Sequence, residues 1–575
     1  MRLRKLSLIS SALLFTASLF SCPNLPAQAA SASSPATTPT VAVFSREVNL
    51  DIDVTDASGN DVHGLTGKDF TVLENGQPQT PRSFREHRAD EPLASAPAQP
   101  SLPPNTFTNA GPPETVRPLD ILLLDSLDTP VATQANLRQR MVEFTEKAPA
   151  GTRIAVFALS ATGQLSMVQG FTTDQDLLRK AIKSHKLDLG IPPLEDTGQE
   201  PDTEAAPEPQ QNRRAAKAMA PTEPKVDQTL ECNHAAARVQ YTSIAFAQIA
   251  RYVSGMPGRK NLIWYTGAFP GRMRDKQGTE CYDSREDLSS ADTLLEHSHV
   301  VVYPVDPRAL DIAAKDGPSS RIGRIQATEH LTMEAVAEQT GGKAFYNNND
   351  LAAAAAQAID AGSNYYTINY APTNQNWDTR RRNISVTVDQ PGLTLVYKHG
   401  YNGVLPGATT TMNGRPIDKA TPIQTAMMRG ALQPTEILFH VSLASAAATE
   451  TSVPPGNNPD PKAMKPPFRR VTLSYVIDAN GLQFDPAPDG TYHGQFEYAV
   501  NVYNPGDGKL INSNDMAAKP ALPPAVYQSM LTGGVKVHQD IDLPATGQYI
   551  LRVGVHDQTT DRVGAVEIPV TVPMP

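Results

Sequence analysis

The chain has 575 residues, of which 40% are hydrophobic and 19% charged, and its formal net charge is −10. This length exceeds what a single hydrophobic core normally serves, so we expect several domains. The acidic balance argues against a nucleic-acid-binding surface, which would need clustered Lys and Arg side chains.

Residues 1–29 have the pattern of an export signal. A basic start is followed by an apolar segment over 6–20, and small residues predict cleavage between Ala29 and Ala30. The apolar segment is shorter than the roughly 20 residues that span a bilayer. An alternative is a lipoprotein signal with lipid attachment at Cys22. We expect an exported protein, periplasmic, on the cell surface or secreted, with no transmembrane span in the mature chain.

The chain contains three cysteines, and Cys22 leaves with the signal if cleavage follows Ala29. In an oxidising compartment the remaining pair, Cys232 and Cys281, is expected to form a disulfide. The alternative is a pair of unbonded, buried thiols.

Residues 41–88 alternate apolar and polar side chains in the manner of β-strands separated by turns. Three strands are expected here, which can barely bury one face of a sheet on their own. We therefore expect them to form a small β-sandwich together with later strands in 383–403. Residues 89–117 are rich in Pro and Ala and contain few core-forming side chains, which predicts a linker.

Residues 118–371 alternate short apolar runs with helical segments, a pattern typical of an α/β fold. The run 121–124 is uninterrupted and ends at Asp125, which predicts a central strand of a parallel sheet, buried on both faces. We expect a doubly wound, mostly parallel, Rossmann-like sheet, closed by a strand over 365–370. Residues 187–230 break the pattern with Pro, Glu, Gln and Ala, and this composition predicts a disordered insertion.

Residues 372–403 are predicted to form a β extension, and residues 404–433 a second linker. Residues 434–575 contain six or seven alternating segments separated by turn sequences. This pattern predicts a C-terminal, immunoglobulin-like β-sandwich. The expected architecture is therefore an α/β domain with flanking β-sandwich domains.

The strand that ends at Asp125 leads into the sequence Asp125-Ser126-Leu127-Asp128-Thr129. This loop resembles the metal-adhesion loop of von Willebrand factor type A (VWFA) domains, whose usual pattern is Asp-x-Ser-x-Ser. Further similar strings are GRKNLIWYTG at 258–267, TGGKAFYNNNDL at 340–351, YYTINYAP at 365–372 and HGY at 399–401. Together they resemble VWFA-related proteins of the acidobacterial type, over residues 41 to about 403, and they imply the VWFA fold.

The resemblance implies a divalent cation, Mg²⁺ or else Mn²⁺ or Ca²⁺, because such ions take carboxylate and hydroxyl oxygens as ligands. The implied ligands are Asp125, Asp128, Thr129 and Thr266. Leu127 stands where the family has a hydroxyl, and Thr266 stands where it usually has a carboxylate. We therefore expect a degenerate site with weakened metal binding.

Two points about this loop stay open at the level of sequence. Thr242 is a candidate for a further family Thr, although it falls within a predicted helix. As an alternative to metal ligation, Asp125 and Asp128 would cap the turn and the neighbouring helix by accepting hydrogen bonds from backbone N–H groups.

No sequence motif for catalysis is evident. The chain contains no Gly-x-Ser-x-Gly, no His-Glu-x-x-His and no phosphate-binding loop, so we expect no enzyme activity. His297 and His299, with Cys281 as a further ligand, would make a zinc site only if more ligands lay nearby. Two surface or half-buried histidines are the simpler interpretation.

The function expected from the resemblance is binding of a protein or envelope ligand, or adhesion to a surface, at the carboxyl ends of the sheet strands. The expected contact residues are the four implied ligands, Asp125, Asp128, Thr129 and Thr266, with loop residues after Gly267. The alternatives are a metal-free structural or assembly protein of the cell envelope, and a secreted hydrolase with its site in the C-terminal sandwich. We expect no nucleic-acid partner.

Overall fold

The computed structural model describes residues 48–89, 102–110, 118–148, 151–184, 228–256, 258–267, 269, 273–274, 280–282, 284–308, 321–347, 351–403, 411–412, 415–416 and 422–572. The predicted signal segment, with Cys22, Ala29 and Ala30, lies outside these residues, as does most of the insertion predicted over 187–230. Within the part of the chain that is described, no helix combines the length and apolar character that a membrane span requires.

The secondary structure changes along the chain from strands, to alternating strands and helices, and to strands again. The first part contains β1 (Val48–Thr55), β2 (Phe70–Glu74), β3 (Gln77–Pro78), β4 (Pro81–His87) and β5 (Thr106–Thr108). The middle part contains β6 (Leu119–Asp125), α1 (Val131–Lys147), β7 (Arg153–Leu159), β8 (Leu165–Thr172), α2 (Gln175–Ser184), α3 (Gln228–Val253), β9 (Lys260–Tyr265), β10 (Met273–Arg274), β11 (Glu280–Tyr282), α4 (Ser284–His297), β12 (Val300–Val305), α5 (Arg321–Thr340) and α6 (Leu351–Ala361).

The last part is mostly strands. It contains β13 (Tyr365–Tyr370), β14 (Arg381–Val388), β15 (Thr394–Tyr397), β16 (Gly400–Asn402), β17 (Thr411–Met412), β18 (Arg415–Pro416), α7 (Pro422–Ala426), β19 (Phe439–Ser445), β20 (Phe468–Ile477), β21 (Phe484–Pro486), β22 (Tyr492–Gly494), β23 (Phe496–Tyr503), β24 (Leu510–Ala518), β25 (Ala521–Leu522), α8 (Pro524–Gly533), β26 (Val535–Pro544), β27 (Gly547–Asp557) and β28 (Val563–Val572).

Strand β6 is the centre of a five-stranded sheet with the order β12-β9-β6-β7-β8. It pairs in parallel with β7 and β9, while β8 runs antiparallel to β7 at one edge. Every residue of β6 is buried, as an uninterrupted aliphatic run requires. The expectation of a mostly parallel sheet in an α/β fold is confirmed.

Alternate side chains of β6 enter two different cores. Ile121 and Leu123 pack in one core with residues of α3, α4 and α5. Leu122 and Leu124 pack in the other with residues of α1, α2 and α6. Helices therefore cover both faces of the sheet, and the loop after β6 leaves the sheet at its carboxyl edge.

Strands from both sides of the α/β region form two further sheets, ordered β15-β1-β13-β4 and β16-β14-β2-β3, around one shared core. Strand β1 pairs with β13 and β15, and β2 pairs with β14. This pairing corrects one expectation: β13 (Tyr365–Tyr370) does not close the parallel sheet but runs antiparallel to β1 and β4. From Tyr366 onwards, buried side chains of β13 alternate with half-buried ones. This pattern is typical of an antiparallel strand that has one face towards a core.

The C-terminal part places the sheets β26-β20-β19-β5 and β24-β23-β27-β28 around another core. Two segments predicted as linkers contribute to it. Phe107 in β5 pairs with Val441 in β19. Ile423 in α7 and the following Met427 pack against Val563 at the start of β28. Parts of 89–117 and 404–433 are therefore built into the C-terminal region rather than lying between folded regions.

The N-terminal sheets meet the α/β region through buried charges. The guanidinium of Arg259 donates to Asp53 Oδ1 at 2.8 Å and to the Tyr303 hydroxyl at 2.6 Å. It also lies 4.7 Å from the centroid of the Tyr365 ring. Only 1% of the Arg259 side chain is exposed, so this ion pair is shielded from water on both sides of the junction.

The C-terminal region meets the α/β region at the end of α3. Arg251 Nη1 donates to Glu436 Oε2 at 2.7 Å and to the Asp561 carbonyl at 2.9 Å. The backbone of Gly255 comes so close to Thr435 that a Cβ atom there would lie 2.4 Å from the Thr435 carbonyl oxygen. A side chain at position 255 would therefore push the two regions apart.

Candidate functional site

Asp125 ends β6 and organises the loop that follows it. Its Oδ1 accepts hydrogen bonds from the backbone N–H groups of Leu127 and Asp128, both at 3.0 Å. Its Oδ2 accepts a hydrogen bond from the indole Nε1 of Trp264, on the neighbouring β9, at 2.9 Å. Burial and the nearby charge of Asp128 raise the pKa of Asp125 to about 8. Asp125 therefore stabilises the turn, which is the role described by the capping alternative.

Asp128 binds a positively charged side chain of the same chain. Arg238 Nε donates to Asp128 Oδ1 at 2.5 Å, and its Nη2 forms an ion pair with the same oxygen. The Thr242 hydroxyl donates to Oδ2 at 3.3 Å. Arg238 and Thr242 lie four residues apart on α3, a spacing that places both on one helical face. Burial raises the pKa of Asp128, although the Arg238 charge opposes this shift.

Thr129 and Thr266 complete the set of predicted site residues. The backbone N–H of Gly267 donates to the Asp128 carbonyl at 3.2 Å, which fixes the end of β9 against the loop. The side chains of Thr129 and Thr266 are fully buried, and neither hydroxyl has a hydrogen-bond partner among the described residues. The fold thus brings the four predicted ligands to one edge of the sheet.

A second arginine lies at this edge, after β12. Arg308 Nη2 donates to Asp306 Oδ2 and Arg308 Nη1 to Glu329 Oε2, both at 2.8 Å. The His330 ring also contacts Asp306 Oδ2 at 2.8 Å. A Cβ atom at Gly267 would lie 3.5 Å from Arg308 Cδ, so this cluster borders the loop after β6. Arginines therefore neutralise carboxylates in both loops.

The arrangement does not fit a divalent cation. Both oxygens of Asp125 already accept N–H groups, and Asp128 holds the Arg238 guanidinium. Leu127 turns into the hydrophobic core with 6% exposure. The remaining oxygens, the hydroxyls of Thr129 and Thr266, carry no charge, whereas such cations prefer carboxylates and water. Among the described residues, no group of three His, Cys, Asp or Glu side chains is placed to hold a metal ion.

The predicted contact residues are buried, whereas docking of a partner requires exposed side chains. Asp125 is 1% exposed, and Asp128, Thr129 and Thr266 are 0% exposed. A macromolecular partner therefore does not reach these side chains in this conformation. The prediction that a partner docks on these four side chains is therefore corrected. They have an internal role, because helix α3 covers the loop.

Sequence reasoning missed Arg238, Trp264 and Arg308. A signal for Arg238 was present, since a predicted helix with Arg and Thr at i and i+4 can present both to one acceptor. The partner in the loop is 110 positions away along the chain, however, and no local pattern identifies it. Thr242, by contrast, was named from the resemblance, and it contacts Asp128 from within α3.

The histidine and cysteine predictions lie away from this loop. His299 is half-buried and has a left-handed backbone conformation with φ of 53°, and its Nε2 is 2.9 Å from Asn49 Nδ2. Burial lowers the pKa of His299 to about 4, so the ring is neutral. Cys232 forms a disulfide, and the segment containing Cys281 contacts α3. The Cys281 side chain lies outside the described residues, so the pairing of these two cysteines stays a prediction.

Structural comparison finds matches of low similarity. Proximal thread matrix protein 1 from the mussel byssus is 10% identical with a TM-score of 0.23, over 43% of this chain and 48% of the mussel chain, about half its length. An aerotolerance-related membrane protein from Bacteroides fragilis is 9% identical with a TM-score of 0.24, over 42% and 98% of the two chains. A von Willebrand factor type A structure from Catenulispora acidiphila is 8% identical with a TM-score of 0.20, over 92% and 74%.

No protein-family model matches the chain, and no curated protein matches it in sequence. The structural neighbours include a von Willebrand factor type A protein. Their identities and TM-scores are too low to transfer a ligand or a function to this chain.

Proposed function

We propose that this chain is an exported structural or assembly protein of the cell envelope, whose VWFA-like region works without a metal ion. The observation that carries the proposal is the buried ion pair between Arg238 and Asp128. The Arg238 guanidinium is bound to the Asp128 carboxylate, which the family resemblance assigns as a ligand of the cation. The site is thereby neutralised from within the chain.

The buried positive charge of Arg238 limits what the loop can bind. An ion that enters the site must displace Arg238 or remain close to a second positive charge in a poorly hydrated region, where charges interact strongly. With Arg238 in place, a partner carboxylate also finds no vacant metal position. The loop is therefore a fixed part of the fold and not a switch that responds to ligand.

The two junctions support a structural role. The Arg259–Asp53 pair joins the N-terminal sheets to the α/β region, and the Arg251–Glu436 pair joins the C-terminal region to it. Both pairs are largely buried, and breaking such a pair by removing one partner is strongly destabilising. The three regions are therefore expected to move as one body.

Export is supported by the N-terminal sequence pattern and by the disulfide at Cys232, because disulfides persist in oxidising compartments. The proposal includes no catalytic role. Turnover of chromogenic esters or glycosides by the purified protein would overturn that part of it.

The test is thermal unfolding of the purified protein in Mg²⁺, Mn²⁺, Ca²⁺ or EDTA, with ionic strength matched by NaCl. A ligand that binds only the native state at about 100 times its Kd stabilises it by about 2.7 kcal/mol, which is readily measured. We expect the same Tm in all four solutions. A rise in Tm with one divalent cation that EDTA reverses would overturn metal independence.

Metal-dependent binding is the second candidate, because the buried hydroxyls of Thr129 and Thr266 lack partners. A coordinated cation would satisfy both. If a divalent cation does raise Tm, Thr129→Val should abolish the effect, since it removes the hydroxyl and keeps the shape of the side chain. Retention of the effect in Thr129→Val would place the cation elsewhere.

A further inference from the structure

A cavity of about 280 Å³ lies between α3 and the segment that follows α7. It is bounded by the α/β region on one side and by the C-terminal region on the other. Most of its walls are aliphatic or thioether side chains. They include Ile244, Ala247, Leu294, Met428, Leu432 and Val563.

The position of this cavity is typical of a small-molecule site, and its volume lies just below the usual range. Ligand pockets have volumes of roughly 300–1,000 Å³ and are found preferentially where two domains meet. A dry apolar cavity of about 150 Å³ is already large enough to bind benzene. The cavity of 280 Å³ therefore has room for an apolar body larger than one aromatic ring.

The charged groups that line the cavity differ in how they are neutralised. Arg251 forms an ion pair with Glu436, and the Asp561 carboxylate is paired with His556. Arg429 Nη1 instead donates to the carbonyl oxygens of Asn504 and Pro505, both at 3.1 Å. Among the described residues, no carboxylate forms an ion pair with Arg429.

Arg429 thus presents a positive charge whose partners are neutral carbonyl groups. A guanidinium binds a carboxylate strongly because its N–H groups match the two oxygens. The cavity wall supplies the apolar contacts, and Arg429 supplies one site for an anion. The carboxylate Glu567 is nearby, but it accepts from the Gly430 N–H at 3.0 Å and pairs with Arg552.

We propose that this cavity binds a small molecule with an apolar body and a single carboxylate group. The body lies between α3 and the segment after α7, and the carboxylate contacts Arg429. Such a ligand touches the α/β region and the C-terminal region together, so its binding stabilises their junction. This site is separate from the loop after β6 and does not depend on whether that loop binds a metal.

The test is calorimetric titration of the full chain with decanoate below its micelle concentration, with decanol as the uncharged control. We expect decanoate to bind and decanol to bind at least tenfold more weakly. Equal affinity for both, or binding of neither, would overturn the proposal. Tighter binding of 1-naphthoate than of decanoate would support the carboxylate class and indicate a planar body.

Three variants locate the ligand. Arg429→Gln should weaken decanoate binding about tenfold and leave decanol unchanged. Ala431→Trp should abolish decanoate binding, because Ala431 lines the cavity and the indole would fill it. Ala447→Trp is the matched control, since Ala447 is exposed on the loop after β19 and does not line the cavity.

The control should bind decanoate like the wild type. If Ala431→Trp retains its native Tm and still binds decanoate, the ligand lies elsewhere and the proposal fails. An unchanged affinity in Arg429→Gln would show that the carboxylate is not recognised as proposed.

Discussion

The loop after β6 and the cavity beside α3 lie against the same helix, yet they are built in opposite ways. In the loop, Asp128 is fully buried and already paired with Arg238. In the cavity, the walls are mostly apolar, and the partners of Arg429 within the described part of the chain are neutral carbonyl groups. One face of α3 therefore closes the site that the sequence motif indicates, and another face lines a space that no motif indicates. A family motif marks the position of a site in the fold, while the neighbouring helix decides whether the site is open.

The largest effect on stability is expected at the buried ion pair between Arg259 and Asp53, which joins the N-terminal sheets to the α/β region. Arg259→Ala leaves Asp53 buried without its partner and should lower the free energy of unfolding by roughly 3–5 kcal/mol. Urea unfolding measures the loss. Arg380→Ala is the matched control, since the Arg380 side chain is 86% exposed and its pair with Asp378 is 3.6 Å long. Exposed pairs contribute little, so this variant should unfold like the wild type. Equally small losses of unfolding free energy in both variants would show that burial does not strengthen the Arg259–Asp53 pair.

The next effect tests whether the loop is a packed part of the core. Leu127→Ala should lower the free energy of unfolding by about 2–4 kcal/mol, because Leu127 is buried among core side chains. Leu127→Ser restores the hydroxyl of the family motif and should lose at least as much stability. Neither variant should gain a Mg²⁺-dependent Tm, since Arg238 remains in place. A Mg²⁺ response in Leu127→Ser alone would mean that the missing hydroxyl, and not the guanidinium, excludes the metal.

A smaller, pH-dependent effect concerns a wall of the cavity. His556 Nδ1 is 2.7 Å from Glu497, and its Nε2 is 3.1 Å from Asp561, which lines the cavity. Burial lowers the pKa of His556, but the hydrogen bonds to Asp561 and Glu497 outweigh it and raise the pKa to about 9. The unfolded value is near 6.5, so the stabilisation is complete below pH 6.5 and is lost as pH rises through 9.

His556→Gln should remove this part of the pH dependence, on the order of 1–2 kcal/mol after allowance for the partial exposure of Glu497 and Asp561. Urea unfolding of both proteins at pH 6, 7.5 and 9 measures it. The difference between the two proteins should shrink towards pH 9. A difference that stays constant across this range would rule out a charged His556 as the cause.

The sequence was most informative where local composition determines burial. Four consecutive aliphatic residues predicted β6 as a buried parallel strand, and the structure places it third of five in the sheet. It was least informative where partners are distant. Tyr365–Tyr370 is recognisable as a strand, but its pairing with β1 across the whole α/β region has no local signal. The short β5 lies in Pro-rich sequence and becomes a strand only through its pairing with β19.

The same limit applies to the site. The loop residues and Thr242 could be named because a motif carries them. The decisive group is Arg238, whose effect depends on the position of α3 over the loop. The cavity has no motif at all, since its walls come from five separate parts of the chain.

The measurement that tests the central claim most directly is calorimetric titration of Mg²⁺ into wild-type protein, Arg238→Ala and Arg238→Lys. We expect no binding by the wild type or by Arg238→Lys, which keeps the positive charge. We expect binding by Arg238→Ala, because the Asp128 carboxylate and the hydroxyls of Thr129 and Thr266 then become available. Mg²⁺ binding by the wild type, or by none of the three proteins, would contradict the claim that this guanidinium takes the place of the metal.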